Sequence, residues 1–400
     1  MVLVGYTPIL HKGIVFFLTG MVAFAVLVLN SGRNSFRNSN ALIVNVFFYI
    51  IMCCSYKVLN ISTAGWGAIF LHILFFVPIL LMPFVTVSFS KAQSRYLFLM
   101  IVAIVVANIV DNIRLVLANP ELLVMTNRNF LTDEMDGIGN VGGSKWLNSV
   151  FFFFVACFFC YINGKEKLIK YAALFSAILS GLFVIAFCVK ASIIVFTVFS
   201  AVLLLYAKRT QKFSRFLSVG VFTSVFAFLF VVLFADVLID FLLSNAPKKL
   251  ASRLIMLIDS DNLYAGSGVR TMDARENLWL VSIKSWLSNL LTFFFGIGDH
   301  RASEDISSVA KTGIGNHSDL FDTLGRYGLI GSLLIMNIFR LSFKHILSLF
   351  DKSRKLQVMV IFMVLILYGF TKGIFVLGVG CALFLILPII SILLQKRNVS

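Results

Sequence analysis

Long apolar runs separated by short polar breaks make up most of the chain. Runs rich in Leu, Ile, Val and Phe fall at about 13–30, 41–56, 66–89, 95–112, 146–162, 168–187, 191–207, 216–236, 328–343, 356–371 and 374–394. Crossing about 30 Å of hydrocarbon takes roughly 20 helical residues, because each rises about 1.5 Å and a backbone in lipid must bond to itself. The pattern predicts an all-α polytopic membrane protein with about eleven spanning helices, within a range of ten to twelve. The first run follows a short polar start and has no small-residue cleavage site behind it, so it is expected to be retained.

Two polar stretches interrupt this pattern. Residues 113–145 contain Asn119-Pro120 and the glycine-rich DGIGNVGG, which predict a loop with little regular structure. The second, 237–327, is long enough to be a functional loop on a rigid scaffold. It divides the chain into N-terminal helices over 1–236, the loop itself, and C-terminal helices over 328–400. Within the loop, ARENLWLVSIKSWLSNLL (274–291) places Trp279, Ile283, Trp286, Leu287, Leu290 and Leu291 on one helical face. Arg275, Ser282, Ser285 and Asn289 lie toward the other face. Such a helix should lie along a membrane interface with its tryptophans at headgroup depth, and 248–258 (KKLASRLIMLI) suggests a shorter second one.

Composition sharpens the class. The chain is 60% hydrophobic and 13% charged, with 43 phenylalanines, where soluble domains are nearer 45–50% apolar and 25% charged. Cys53, Cys54, Cys157, Cys160 and Cys381 fall inside apolar runs, and Cys188 at the end of one. The Cys157/Cys160 spacing matches redox motifs, but no basic neighbourhood would favour a thiolate, so both are expected to be small core residues.

Charge supplies orientation. With the N-terminus outside, alternate loops put 18 of the 34 Lys and Arg residues inside, against only the acids Glu166 and Asp351. Short basic loops stay in the cytoplasm, so the inner face would hold the whole net charge of +16. The basic excess therefore reports topology, and no nucleic-acid partner is expected. Both polar stretches land outside.

Transporters and proton pumps keep charges near mid-membrane, where they are expensive and hence functional. Here the runs are nearly free of acids and bases at their centres, and Asp111, Arg114, Lys190, Asp236, Asp240 and Lys372 crowd the outer ends. That arrangement suits chemistry at the outer surface on a substrate whose tail stays in lipid. The segment GIGNHSDLFDTLGRYGLIGSLL (313–334) concentrates candidates. Asn316 followed by Asp319 has the spacing of a capping box, predicting a helix from near His317 through Tyr327, ending before Gly328. A histidine in a first turn meets the positive end of the helix dipole, stays neutral near pH 7 and can accept a proton. Asp319, Asp322 and Arg326 share one face, where Asp322 can pair with Arg326. The plainer alternative is a polar cap where a re-entrant loop meets the next helix.

NHSDLFDTLGRYGLIG resembles the hallmark of the O-antigen polymerase and O-antigen ligase superfamily, in which H-N-x-x-L precedes a helix ending G-L/I-I/L-G. Upstream, RENLWLVSIKSWLSNLLTFFFGIG (275–298) resembles the arginine, tryptophan and G-x-G pattern of that family's large periplasmic loop. CVKAS (188–192) is similar to its short S-R or S-K element. Order and spacing agree across residues 188–331. Ser318 stands where asparagine is common, and Arg326 where ligase-like members often carry an acid, so the segment looks closer to the polymerase branch.

The resemblance implies a GT-C-like fold in a bacterial inner membrane and glycosyl transfer between lipid carriers on the periplasmic face. Undecaprenyl-pyrophosphate-linked glycans would be the substrates, with membrane lipids around them and a chain-length regulator and a flippase as possible partners. His317 would be the base, with Lys190, Arg270 and Arg275 contacting pyrophosphate. Neither metal nor cofactor is implied, since arginine can clasp phosphate oxygens itself. For Lys190 the alternative is a snorkelling anchor, and for Arg275 a surface helix charge. Asp259-Ser260-Asp261 has the D-x-D form of metal–nucleotide sites but reads as a turn where nucleotide sugars are scarce. The G-I-G runs at 296 and 313 follow no strand, so neither is a dinucleotide loop. Three functions remain open: a polymerase of glycan repeat units, a ligase moving finished glycan to lipid A core, and a lipid-linked oligosaccharide flippase.

Overall fold

The computed structural model describes residues 40–62, 66–118, 144–187, 191–210, 279–298, 314, 318–371 and 373–395. Every regular element among them is helical: α1 (Asn40–Val58), α2 (Trp66–Leu74), α3 (Val77–Ser88), α4 (Lys91–Ala118), α5 (Ser144–Asn163), α6 (Lys167–Phe187) and α7 (Ala191–Thr210). After them come α8 (279–286), α9 (Leu290–Phe295), α10 (Asp319–Ser348), α11 (Lys352–Thr371) and α12 (Leu377–Leu394). Eight of these, α1, α4 to α7 and α10 to α12, are long and apolar enough to cross a membrane. The architecture is that of an all-α polytopic membrane protein. The expected helices at 13–30 and 216–236 lie outside the described residues.

Within the expected 66–89 helix, backbone chemistry makes a break that hydropathy alone hides. The run divides at Phe75-Phe76, where Phe75 N and Phe76 N donate to the carbonyls of His72 and Ile73 in a tightened turn. Pro78, in the first turn of α3, lacks an N–H and its ring would crowd the carbonyl one turn back, so a straight helix cannot pass through. The backbone exposed at this break is approached by α12: a Cβ on Gly380 would meet Phe75 O at 2.7 Å. Inside α12, a π-turn over Ala382–Ile386 precedes Pro388, which accommodates the proline without ending the helix.

Burial separates core helices from lipid-facing ones. α12 is apolar all round and 94% of its span is buried; α5, with Phe151 to Phe154, follows at 78%. Cys157, Cys160 and Cys381 are fully buried there and unbridged, as expected of small core residues. Cys188 lies outside the described residues. By contrast, α6 exposes Phe175, Ile178, Leu182 and Ile185, and α7 exposes Val195, Val198, Val202 and Leu205. Both rows recur at helical spacing, an apolar stripe too large to face water and suited to lipid tails.

Polar contacts sort the helix ends. At one end Arg95 pairs with Glu166 at 2.9 Å, Asn163 Nδ2 donates to Gln357 Oε1 at 2.7 Å, and Arg354 Nη1 donates to Leu394 O at 3.3 Å. Lys91 Nζ also donates there, to Gln395 O at 2.9 Å. At the other end Tyr368 OH donates to Asn148 Oδ1 at 2.5 Å, and Asn148 Nδ2 to Gly373 O at 2.7 Å. The first end carries the Lys- and Arg-rich turns whose location the charge count assigned to one side. α8, α9 and the start of α10 gather at the second.

Candidate functional site

The sequence reads 274–291 as one continuous helix, but the structure breaks it at 287–289. Asn289 is the reason. Its side chain accepts from Thr292 N at 2.9 Å while Thr292 Oγ1 accepts from Asn289 N at 3.1 Å. This reciprocal cap starts α9 afresh and leaves α8 ending at Trp286. The indole of Trp286 stacks on Phe293 at 5.1 Å and donates to Phe293 O at 2.9 Å, so the two short helices fold against each other as a hairpin.

Three glycines set this hairpin against α10. Gly328 has φ 62° and ψ −162°, which kinks α10 where the sequence expected its first helix to end. Just before the kink, Gly325 O and Arg326 O accept from Ile297 N and Gly298 N, each at 2.9 Å. The returning segment of the hairpin passes so close that a Cβ on Gly296 would sit 2.4 Å from Arg326 C and O. One on Gly328 would sit 2.5 Å from Phe294 C and O. With φ of 72° and 62°, both positions also require the backbone freedom of glycine. The G-I-G at 296 thus follows a helix, and its work is backbone-to-backbone packing.

Polar side chains brace the same junction. Asp322 is 1% exposed; its Oδ1 accepts from Ser282 Oγ at 2.7 Å and its Oδ2 from Ser318 N at 3.2 Å. With one hydrogen bond to each oxygen, buried Asp322 is a bracket between α8 and α10. Asp319 Oδ2 accepts from Phe375 N at 2.6 Å and from Ile374 N, tying α10 to the segment before α12. Arg326, largely buried, acts attractively on Asp319 across the helix face that the sequence predicted for these three residues. Trp279 and Phe321 meet at 5.6 Å, and Phe321 and Phe370 at 5.7 Å, forming an aromatic wall beside the bracket.

The helix cap is corrected by the structure. Asn316 was expected to open the helix, but Ser318 does: its hydroxyl accepts from Phe321 N at 3.4 Å and donates to Gly369 O at 3.1 Å. The serine that caps the helix is also tied to the neighbouring helix, and α10 begins at Asp319. His317, Lys190, Arg270 and Arg275 lie outside the described residues, as do Lys372, Asp236 and Asp240. Asp111 and Arg114 are exposed on α4.

Beneath the junction lies a cluster that sequence reasoning missed. Tyr49 OH and His72 Nε2 are 2.6 Å apart, and the Tyr327 ring packs 5.5 Å from Tyr49, 5.8 Å from Tyr56 and 6.1 Å from His72. Tyr56 OH reaches up to Phe295 O on the hairpin. The available signal was His72 itself, an ionisable residue within an apolar run, which is by default a mark of a special site.

Ser282→Ala tests the bracket. A hydrogen bond to a charged group contributes about 1.5–3 kcal/mol, so the variant should lower the thermal unfolding midpoint of the purified protein. A midpoint unchanged from wild type would show the contact to be incidental. No protein-family model matches this chain, and no curated protein matches it.

Proposed function

We propose that the protein extends lipid-linked glycans, transferring a growing chain from undecaprenyl pyrophosphate to the sugar of an incoming lipid-linked repeat unit. One observation carries the reading. The described residues of the two segments that resemble the polymerase and ligase superfamily, 275–298 and 316–331, pack on each other through Ser282–Asp322, Ile297–Gly325 and Gly298–Arg326. They do so at the end of the helices away from the basic turns. A GT-C-like scaffold in a bacterial inner membrane, with this junction on the periplasmic side, accommodates a substrate that is half lipid and half sugar.

In this mechanism the acceptor hydroxyl oxygen attacks the donor's anomeric carbon as the bond from that carbon to the pyrophosphate oxygen breaks. His317 takes the hydroxyl proton, and Arg275, Lys190 and Arg270 hold the departing pyrophosphate. Buried Asp322 is held as a bracket by Ser282 and Ser318 N, and the base assigned here is the histidine of the resembling motif.

The test is the glycan ladder of a deletion strain complemented with variants. His317→Ala should keep normal membrane levels yet stop at one repeat unit, since a lost general base costs about 10²–10⁴-fold in rate. Arg275→Lys should shorten the ladder as well, because a point charge cannot reproduce a bidentate fork. A near wild-type ladder from His317→Ala would remove the assignment. Long chains stranded on the carrier would point to the ligase, and loss of units before the outer face to a flippase.

A further inference from the structure

The hairpin of α8 and α9 turns its faces the wrong way for a loop in water. Ser282 is 0% exposed and Thr292 is buried, while Leu287, Leu290 and Leu291 are 57%, 75% and 71% exposed. Phe294 and Phe295 extend the same apolar surface. Water would favour the reverse, with leucines inside and hydroxyls out.

Its path runs down α10 and back. Trp279 meets Phe321, Ser282 meets Asp322 and backbone beside Gly325, and after the turn Phe294 meets Gly328 and Gly298 lies against Ile61. The turn at 287–289 is therefore the point nearest the middle of the helices. From Gly328 to Lys344, at the basic end of α10, the helix rises about 24 Å. Against a hydrocarbon layer of about 30 Å, the turn reaches below the boundary by several ångströms, the depth at which interfacial elements bury their apolar side, about 5–10 Å.

Non-helical backbone survives at that depth only if its polar groups have protein partners. Here they do. Asn289 N and Thr292 N are satisfied by the reciprocal cap, Gly296 N by Thr292 O, and Ile297 N and Gly298 N by α10 carbonyls. On the acceptor side, Phe293 O takes the Trp286 indole and Phe295 O the Tyr56 hydroxyl. The exposed leucines continue the apolar surface that α10 presents through Ile330 and Leu333 and α1 through Phe48 and Ile51.

We propose that 279–298 is a re-entrant hairpin whose apex, Leu287 to Leu291, is seated in the hydrocarbon chains of the leaflet at the site end. Lipid tails are its occupant. The proposal is independent of the glycosyl-transfer reading, since no glycan enters its argument or its test.

The experiment places a nitroxide label on single cysteines at Leu287 and Leu291 in the full chain. All six native cysteines are replaced and the protein is reconstituted in phospholipid vesicles. Collision with oxygen, which concentrates in hydrocarbon, is compared with collision with a water-soluble nickel chelate. Val198, on the lipid-facing side of α7, gives the hydrocarbon reference, and exposed Lys284 a position nearer the surface. Both apex labels should match Val198, favouring oxygen several-fold over the chelate. A preference for the chelate would put the turn in water and overturn the proposal. Protection from both reagents would mean that protein covers the leucines, which overturns it equally. Both leucines are exposed, so their replacement leaves the core untouched.

Discussion

Gly328→Ala is expected to be the most damaging small substitution in the chain. Its φ of 62° and ψ of −162° lie in a region open essentially to glycine alone, at a cost of about 1–3 kcal/mol for any other residue. The new methyl would stand 2.5 Å from Phe294 C and O and 2.6 Å from Gly296 N. These are backbone atoms pinned by the bonds of Ile297 and Gly298 to α10, so they cannot step aside as a side chain could. Overpacking adds about 1–3 kcal/mol, and losing the two backbone bonds adds more. A fall of several kcal/mol in stability follows, with the hairpin displaced. Gly181→Ala is the comparison: it sits mid-helix against the edge of the Phe154 ring at 3.3 Å, and the helix gains from alanine what the contact loses. Thermal unfolding in detergent should separate the two clearly. Equal midpoints would mean that the kink relaxes without cost.

Asp319→Ala should come second. One carboxylate oxygen holds the N–H groups of both Ile374 and Phe375, and each such charge-assisted bond contributes about 1.5–3 kcal/mol. Alanine would leave two donors unsatisfied beside buried Ile374 and Phe375, and would take a negative charge from the neighbourhood of Arg326. The expected loss is about 3–5 kcal/mol, read as lowered membrane abundance and an earlier thermal transition. Asp319→Asn keeps an oxygen in place and should lose about half as much. If alanine and asparagine behave alike, the pair of backbone bonds is not what the carboxylate supplies.

The two variants probe different parts of one arrangement. Gly328 sets how closely the hairpin can approach α10, whereas Asp319 sets where α10 stands relative to the entry of α12. Residues far apart in the chain meet in both cases. Nothing in the local pattern around Asp319 announces Ile374, and nothing around Gly328 announces Phe294.

Hydropathy alone located most of the spanning helices. A backbone in lipid has to satisfy itself, so a long apolar run has one solution, and 41–56, 95–112, 146–162, 168–187, 191–207, 328–343, 356–371 and 374–394 are all helical over most of their length. The charge pattern likewise assigned the basic turns to one side, and their side chains do meet at one end. The three-and-four spacing of Asp319, Asp322 and Arg326 placed them on one face. Tertiary structure decided everything that depends on approach between elements. It made Ser318 the cap, with its hydroxyl also bonded to Gly369 O, and it broke the Trp-rich helix at Asn289 to let Gly296 and Gly298 meet α10. It also joined His72 to Tyr49. Helix formation is local, so composition and periodicity reveal it; close packing and hydrogen bonding between distant segments are set by the whole fold, which no window of sequence contains.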